Sequence, residues 1–299
     1  MSNEGGKLPF QLRANDIQRH IINIDSRFRD SFALTTAANF YHTILSPIRN
    51  ILRIRITSFE FPNNYYMFTA KRKNVAFQVI YQNSEGVALG QPIYIPDGTY
   101  TACELEEELT GQFNEPGGLN WLSVSFNPIT GHFIFTGTQR FAIDTEFESY
   151  ERGTDYGLGY YMGFSRKLHK AVKSGDVNWV IESDCQANFA GDSYILMRLN
   201  DYKCVKHYVE GNELSVFAKF ILHEQKNNIS FDDYSTHLIK EVTFNTPQDL
   251  SRLHVQILDP YGELLDLGCN NYSFSIEVLE IKNPSLYNAV RNSLGVTYE

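Results

Sequence analysis

The stretch "ILRIRITSFEF", Ile51 to Phe61, decides the fold. Leu52, Ile54 and Ile56 alternate with Arg53, Arg55 and Thr57, the period of two that a half-buried β-strand imposes because successive side chains leave opposite faces. After Ser58 the phase flips, and Phe59 and Phe61 carry the apolar character. A bulge or sharp bend near Ser58 would return both groups to one core. A second stretch, "YSFSIEVLEI", shows the same shift: Tyr272, Phe274, Ile276 and Val278 give way to Leu279 and Ile281.

Outward from these two stretches the texture stays that of strands. Further candidates are 20–24, 40–45, 75–82, 178–182, 194–199, 214–223, 238–244 and 253–258. Asp259-Pro260-Tyr261-Gly262 puts Pro and Gly where a tight turn wants them, joining 253–258 to 263–267. With 21 Phe, 18 Tyr and 299 residues, the composition favours strands and permits a large core. Few segments are long enough to supply a crossover helix. The expected fold class is all-β, a jelly-roll sandwich.

Between 83 and 165 the texture changes. "PIYIPDGTYTACELEEELTGQFN" gives a strand, a turn at Pro96-Asp97-Gly98, and a helix in which Cys103, Leu105, Leu109 and Phe113 recur at helical spacing. Thr101 followed by Glu104 has capping-box spacing, and Glu104, Glu106, Glu107 and Glu108 form a solvated face. The expected organisation is an N-terminal arm (1–18), jelly-roll (19–82), inserted α+β module (83–165), jelly-roll (166–282) and C-terminal helix or tail (283–299). The two ends read as flexible arms. In the tail, Leu286, Ala289, Val290 and Leu294 share one helical face, suited to its own domain or to a partner.

Charge is unevenly placed. Residues 1–73 hold 11 Lys and Arg against 5 Asp and Glu; the whole chain has 26 and 35, so the rest keep 15 against 30. A basic N-terminal part carrying Arg13, Arg19, Arg27 and Arg29 suits an acidic neighbour. Nucleic acid is not expected, because no recognition helix, zinc finger or RNP-like aromatic pattern is visible. No apolar run spans a bilayer and no apolar signal core opens the chain. Cys103, Cys185, Cys204 and Cys269 lack metal-ligand spacing and read as free thiols.

The search for chemistry finds no GxSxG, HExxH or Walker loop, and glycines 157, 159 and 163 do not form GxGxxG. His237 near Asp232 and Asp233 is the nearest approach to a metal or acid-base cluster, but "NNISFDDYSTH" has the composition of a surface loop. Asp184, Asp192 and Asp201 sit where Asp favours turns; His207 and His223 stand alone. Tyr160, Tyr161 and Trp179 would stack on a sugar if exposed, and otherwise serve as core or interface aromatics. No catalytic residue, metal or cofactor is expected. In "RHIINIDSRFRD", Arg19 to Asp30, the carboxylate of Asp25 ends an apolar strand with Arg27 and Arg29 two and four residues on. The reading is a structural latch between arm and sandwich.

"IINIDSRFRD", "FYHTILSPIRNILRIRITSFEFPNNYY", "YIPDGTYTACELEEELTGQFN", "LSVSFNPITGHFIFTG", "YGLGYYMGF" and "FNTPQDLSRLHVQILDPYGELLDLGCNNYSFSIEVLEI" together resemble the virion structural proteins of nucleocytoplasmic large DNA viruses. That group includes jelly-roll minor capsid and penton proteins, and the likeness runs from about residue 19 to 282. It implies a non-enzymatic minor capsid protein, assembled in the host cytoplasm into the virion and stabilising contacts between major capsid capsomers. The implied partners are the major capsid protein and other minor capsid proteins. A pentameric vertex protein is the alternative, with self-association; contact with an inner membrane stays open. The resemblance carries no catalytic residue. A different class, a glycan-binding sandwich, would use the 153–164 loop or the inserted module. A glycosidase would need two carboxylates about 5 to 9.5 Å apart, and the sequence gives no means of pairing them.

Overall fold

The computed structural model describes residues 16–152, 154, 156–224, 226, 228–232, 240–283 and 285. In chain order the elements are β1 (Ile17–Asp25), β2 (Asn39–Pro62), β3 (Ala76–Gln82), β4 (Ala88–Tyr94), α1 (Ala102–Asn114), β5 (Leu122–Asn127), β6 (His132–Gly137), β7 (Phe141–Asp144), α2 (Leu158–Tyr161), β8 (Leu168–Lys170), β9 (Val172–Ser174), β10 (Asn178–Glu182), β11 (Tyr194–Leu199), β12 (Val205–Val209), β13 (Asn212–Val216), β14 (Ala218–Ile221), β15 (Ile229–Asp232), β16 (Glu241–Leu258) and β17 (Ser273–Ile281). They form two compact units. One comprises the described residues up to Tyr65 and from Asp192 onward; the other is Tyr66–Gly191.

The first unit is a jelly-roll, and its strand register says so. β1 pairs with β17, β17 with residues 51–60 of β2, and the far part of β2 with β15 and the start of β16. The near part of β2 pairs with the end of β16, which pairs with β11, which pairs with β14. The seven-stranded antiparallel sheet thus divides into two layers, β1, β17 and β2 with β15 and the start of β16 in one, and β2, the end of β16, β11 and β14 in the other, with the first and last strands side by side as in a jelly-roll. Two long strands, β2 and β16, each serve both layers.

Each crossing strand carries a proline at its bend. The β2–β16 register breaks between Thr243 and Gln248, and again on to Leu250 and Arg252, around Pro47 and Pro247, which donate nothing to a ladder. Asn50 adopts φ 54° there, and its N–H donates to the Asp249 carboxylate at 3.0 Å. Asn tolerates the left-handed region better than most residues. The expected phase flip is also present. Ser275 faces Ser58 while Ile276 faces Ile56, so Thr57 is the extra residue of a bulge. Ile54, Ile56, Phe59 and Phe61 are all buried as a consequence.

The second unit has two four-stranded sheets, β5-β6-β10-β9 and β4-β3-β7-β8, and α1. They share a core in which Phe77 meets Phe135 edge-on and Phe113 lies beside Phe135. The unit is wider than the 83–165 module read from the sequence. β3, assigned there to the sandwich, pairs instead with β4 and β7, and β10 with β6 and β9. The helix matches its expectation: Thr101 and Glu104 form the capping box, and Leu105, Leu109 and Phe113 face inward, while Cys103 is exposed. The single strand read over 214–223 is two, parted at the buried Phe217, since β13 pairs with β12 and β14 with β11. The turn at 259–262 forms as expected, with Gly262 N–H donating to the Asp259 carbonyl and Asp259 N–H to Glu263. The arm expected over 1–18 gives way to β1 at Ile17.

Candidate assembly surface

Three strands display a charged face. Glu277 on β17 is flanked by Ile21 on β1 and Arg55 on β2. Its carboxylate accepts from Arg53 at 3.1 Å and Arg55 at 2.9 Å, and Arg19 stands 3.9 Å away. The phase that sends Ile54 and Ile56 inward sends these arginines outward, onto an acid that is itself buried. His20 contacts Glu280 at 2.6 Å on the inward phase of β1. Arg19 therefore belongs to a charge cluster of the sheet.

The segment after β1 is held to the sandwich from both ends. Asp25 accepts the Arg27 backbone N–H at 2.9 Å and forks onto its guanidinium. That side-chain hydrogen bond holds the Asp25 carboxyl below its usual range. Arg29 does not join the pair. It donates to the Ser26 carbonyl, Asn271 and the Thr35 carbonyl, and its guanidinium lies 3.8 Å from the centre of the Phe32 ring. Asp30 accepts from the Thr43 hydroxyl at 2.7 Å. Ser26 exchanges bonds with Tyr272 and donates to Asn271, so the segment is fixed to the start of β17.

What this frame holds in water is apolar. Ile21 is 74% exposed, Phe28 73%, Leu34 89% and Leu45 95%. Large side chains left this open are candidates for contact with another protein. Ile21 and Ile22 also line a groove of about 400 Å³ with Ile44, Pro47 and Ile48. β1 is the outer strand of its layer, so its edge offers backbone groups as well. The sequence places Ile21, Ile22 and Ile24 together in one apolar strand and marks none of Phe28, Leu34 or Leu45; the alternation that sends Ile22 and Ile24 inward leaves Ile21 outward.

The other sequence candidates divide. Tyr160 is 40% exposed, but Tyr161 is buried and packs edge-on against Phe68 at 5.0 Å. It cannot be a contact residue, because the last turn of α2 points it into the core. Trp179 is half-buried. Arg13, Leu286 and Val290, as well as His237 and Asp233, lie outside the described residues. Asp232 pairs with Lys240 at 2.5 Å, and among the described residues no group of three or more His, Cys, Asp or Glu stands ready for a metal.

One place gathers Ser, His and Asp. The Ser165 hydroxyl donates to Asp184 at 2.5 Å, Lys167 contacts it at 3.2 Å and His169 at 3.8 Å. His169 Nε2 faces the Ser165 carbonyl, 2.9 Å away. A nucleophilic triad needs the hydroxyl to donate to the imidazole; here it donates to the acid, so the cluster braces a turn. Burial alone would push the Asp184 carboxyl up, yet the Ser165 and Lys167 hydrogen bonds bring it to about 2. A depressed carboxyl stabilises the fold fully above its unfolded pKa and loses that contribution as pH falls through the folded value. Because the side chain is 36% exposed, screening limits the effect to about 1 kcal/mol. Asp184→Asn is expected to lower stability by that amount at neutral pH in urea titrations, with the two curves converging between about pH 4 and pH 2.

Register and surface together define a jelly-roll sandwich protein with an α+β unit inserted between two of its strands. No family model and no curated protein matches the chain. Among solved structures it is similar to the mavirus penton protein, in a crystal structure of its selenomethionine form. That likeness has 14% identity and a TM-score of 0.44, covering 88% of this chain and 99% of that chain.

Proposed function

We propose that this chain is a non-enzymatic structural subunit of an icosahedral virus capsid, a minor capsid protein that stabilises contacts between major capsid capsomers. The observation that carries the reading is the set of open apolar side chains, Ile21, Phe28, Leu34 and Leu45, that the jelly-roll unit leaves in water within 25 residues of chain. Such side chains are hidden when a neighbouring subunit covers them, and the Arg19, Arg53 and Arg55 row beside them supplies orientation rather than bulk affinity. The Asp25–Arg27 pair and Arg29 act as the latch that keeps this face in shape. The jelly-roll by itself serves lectins and cupins as well as capsids.

The test is co-expression with the major capsid protein of the virus that encodes the chain, followed by sedimentation and cryo-EM of the particles. Density for this chain along facets is the expected result, and the Ile21→Asp, Leu45→Asp double variant is expected to fold but lose at least tenfold of its incorporation. A ring of copies around five-fold axes would replace the facet assignment with the vertex one. Full incorporation of the double variant, or particles that never contain the chain, would overturn the reading.

A further inference from the structure

The inserted unit holds a cleft of about 300 Å³ that the assembly reading does not use. It opens where three strands of one sheet line up. Leu122 of β5 and Trp179 of β10 both face Gly137 of β6, so the neighbouring positions Trp121, Thr138 and Asn178 form the next row. Thr138 N–H donates to the Trp121 carbonyl at 3.1 Å, continuing the ladder into that row. The C-terminal end of α1, through Phe113 and Asn114, closes the opposite wall.

Floor and rim differ sharply. Phe113, Leu122 and Gly137 are buried in the floor, and Trp121 is half-buried beside them. The indole is held by Tyr81 at 5.3 Å and Phe141 at 5.9 Å. Gly137 matters here: a Cβ at that position would stand about 3.0 Å from both the Trp121 and Phe141 rings, so the glycine lets them sit close over the floor without being pushed back. The rim carries Thr110, Asn114, Asn120, Thr138 and Asn178. None of their side chains has a hydrogen bond to another described residue. No lining residue is charged, in a chain that is 20% Asp, Glu, Lys and Arg.

That lining selects a chemistry. An anion would need a cationic or backbone-nest partner, and a divalent cation would need carboxylates or imidazoles. Neutral amides both donate and accept, hydroxyls do the same, and a fixed indole offers an apolar face. A pyranose ring has the matching surfaces, with equatorial hydroxyls around its edge and C–H groups on its face. The volume is at the lower end of small-ligand clefts, about 300–1,000 Å³, which suits a single sugar at the end of a chain.

We propose that the cleft at Trp121 is a saccharide site, taking one neutral sugar residue stacked on the indole and hydrogen-bonded by Asn114, Asn120 and Asn178. The site is independent of the assembly surface, so either reading can fail without the other.

The experiment uses the full chain on an array of neutral, N-acetylated and acidic glycans, followed by titration of tryptophan fluorescence with the free sugars. Binding to neutral or N-acetylated glycans is expected. Because Trp121 packs against the core and its removal endangers folding, the variants are Asn120→Ala and Asn178→Ala, whose side chains stand in solvent. Each is expected to weaken binding about tenfold, the cost of roughly one hydrogen bond to a neutral partner, with an unchanged melting temperature. Loss of binding with unchanged capsid incorporation separates this site from the assembly reading. No glycan binding, binding confined to acidic glycans or to polar peptides, or neutral binding that both variants retain in full would overturn it.

Discussion

Phe59→Ala is expected to destabilise the jelly-roll unit by about 3–5 kcal/mol, the usual cost of deleting a buried aromatic side chain. Phe59 lies on the part of β2 that belongs to the first layer, and Phe220 lies on β14, the outer strand of the second. Their rings stack at 3.9 Å, with Phe61 at 5.6 Å and Tyr272 at 5.8 Å from Phe59. The pair joins the two layers. Phe220→Ala is expected to cost a similar amount. The double variant should cost less than the two together by about 0.5–1.5 kcal/mol, because one contact is removed twice. Urea denaturation of the four proteins measures the cycle. A loss under about 1 kcal/mol for Phe59→Ala would mean that the layers do not meet at this ring.

Gly163→Ala is expected to cost about 3 kcal/mol or more in the inserted unit. Gly163 sits at φ 89°, and a Cβ there would lie 2.1 Å from the Cys185 carbonyl oxygen. The glycine carbonyl accepts the Cys185 N–H at 2.9 Å, and its own N–H donates to Tyr160. Relief requires moving the Cys185 backbone, which breaks that bond, on top of roughly 1–2 kcal/mol for a left-handed alanine. Gly175→Ala supplies the control. Its φ is 70°, but nothing lies within 4 Å of an added Cβ, so only the backbone term of about 1–2 kcal/mol applies. Thermal melts followed by near-UV dichroism distinguish the two, and equal losses would remove the steric part of the account.

Gly163 also shows where the sequence is mute. As letters, glycines 157, 159 and 163 exclude a nucleotide loop and say nothing more; the close approach of Cys185 is a contact between segments 22 residues apart that spacing does not encode. Local signals were legible. The phase change after Ile56 marked the bulge at Thr57, Thr101 and Glu104 marked the helix start, and Pro260-Tyr261-Gly262 marked a turn. Partner choice was not legible. Residues 75–82 alternate as well as residues 52–56 do, and alternation shows that one face is buried but not against which sheet. The module was therefore read too narrow, as 83–165 where the unit runs from Tyr66 to Gly191. Asp25 was legible as a strand end, since Arg27 follows at once, whereas nothing in the sequence tells Tyr161 from Tyr160, because only tertiary packing separates the buried one from the exposed one.

The sharing of β2 by both layers sets an order of events on the ribosome. Arg53 must wait for Glu277, 224 residues downstream, and at about 5–20 residues per second that delay is roughly 10 to 45 s. Every strand pairing within 66–191 is internal to that stretch, so the later-emerging unit completes itself first. Until β15 and β16 emerge, the β2 run Ile51 to Phe61 has no ladder partner, and it is strongly apolar on one face. Arg53 and Arg55 interrupt it, and like charges on neighbouring nascent chains repel. The arginines that later surround Glu277 thus act first as gatekeepers against aggregation, before the last strand arrives to neutralise them.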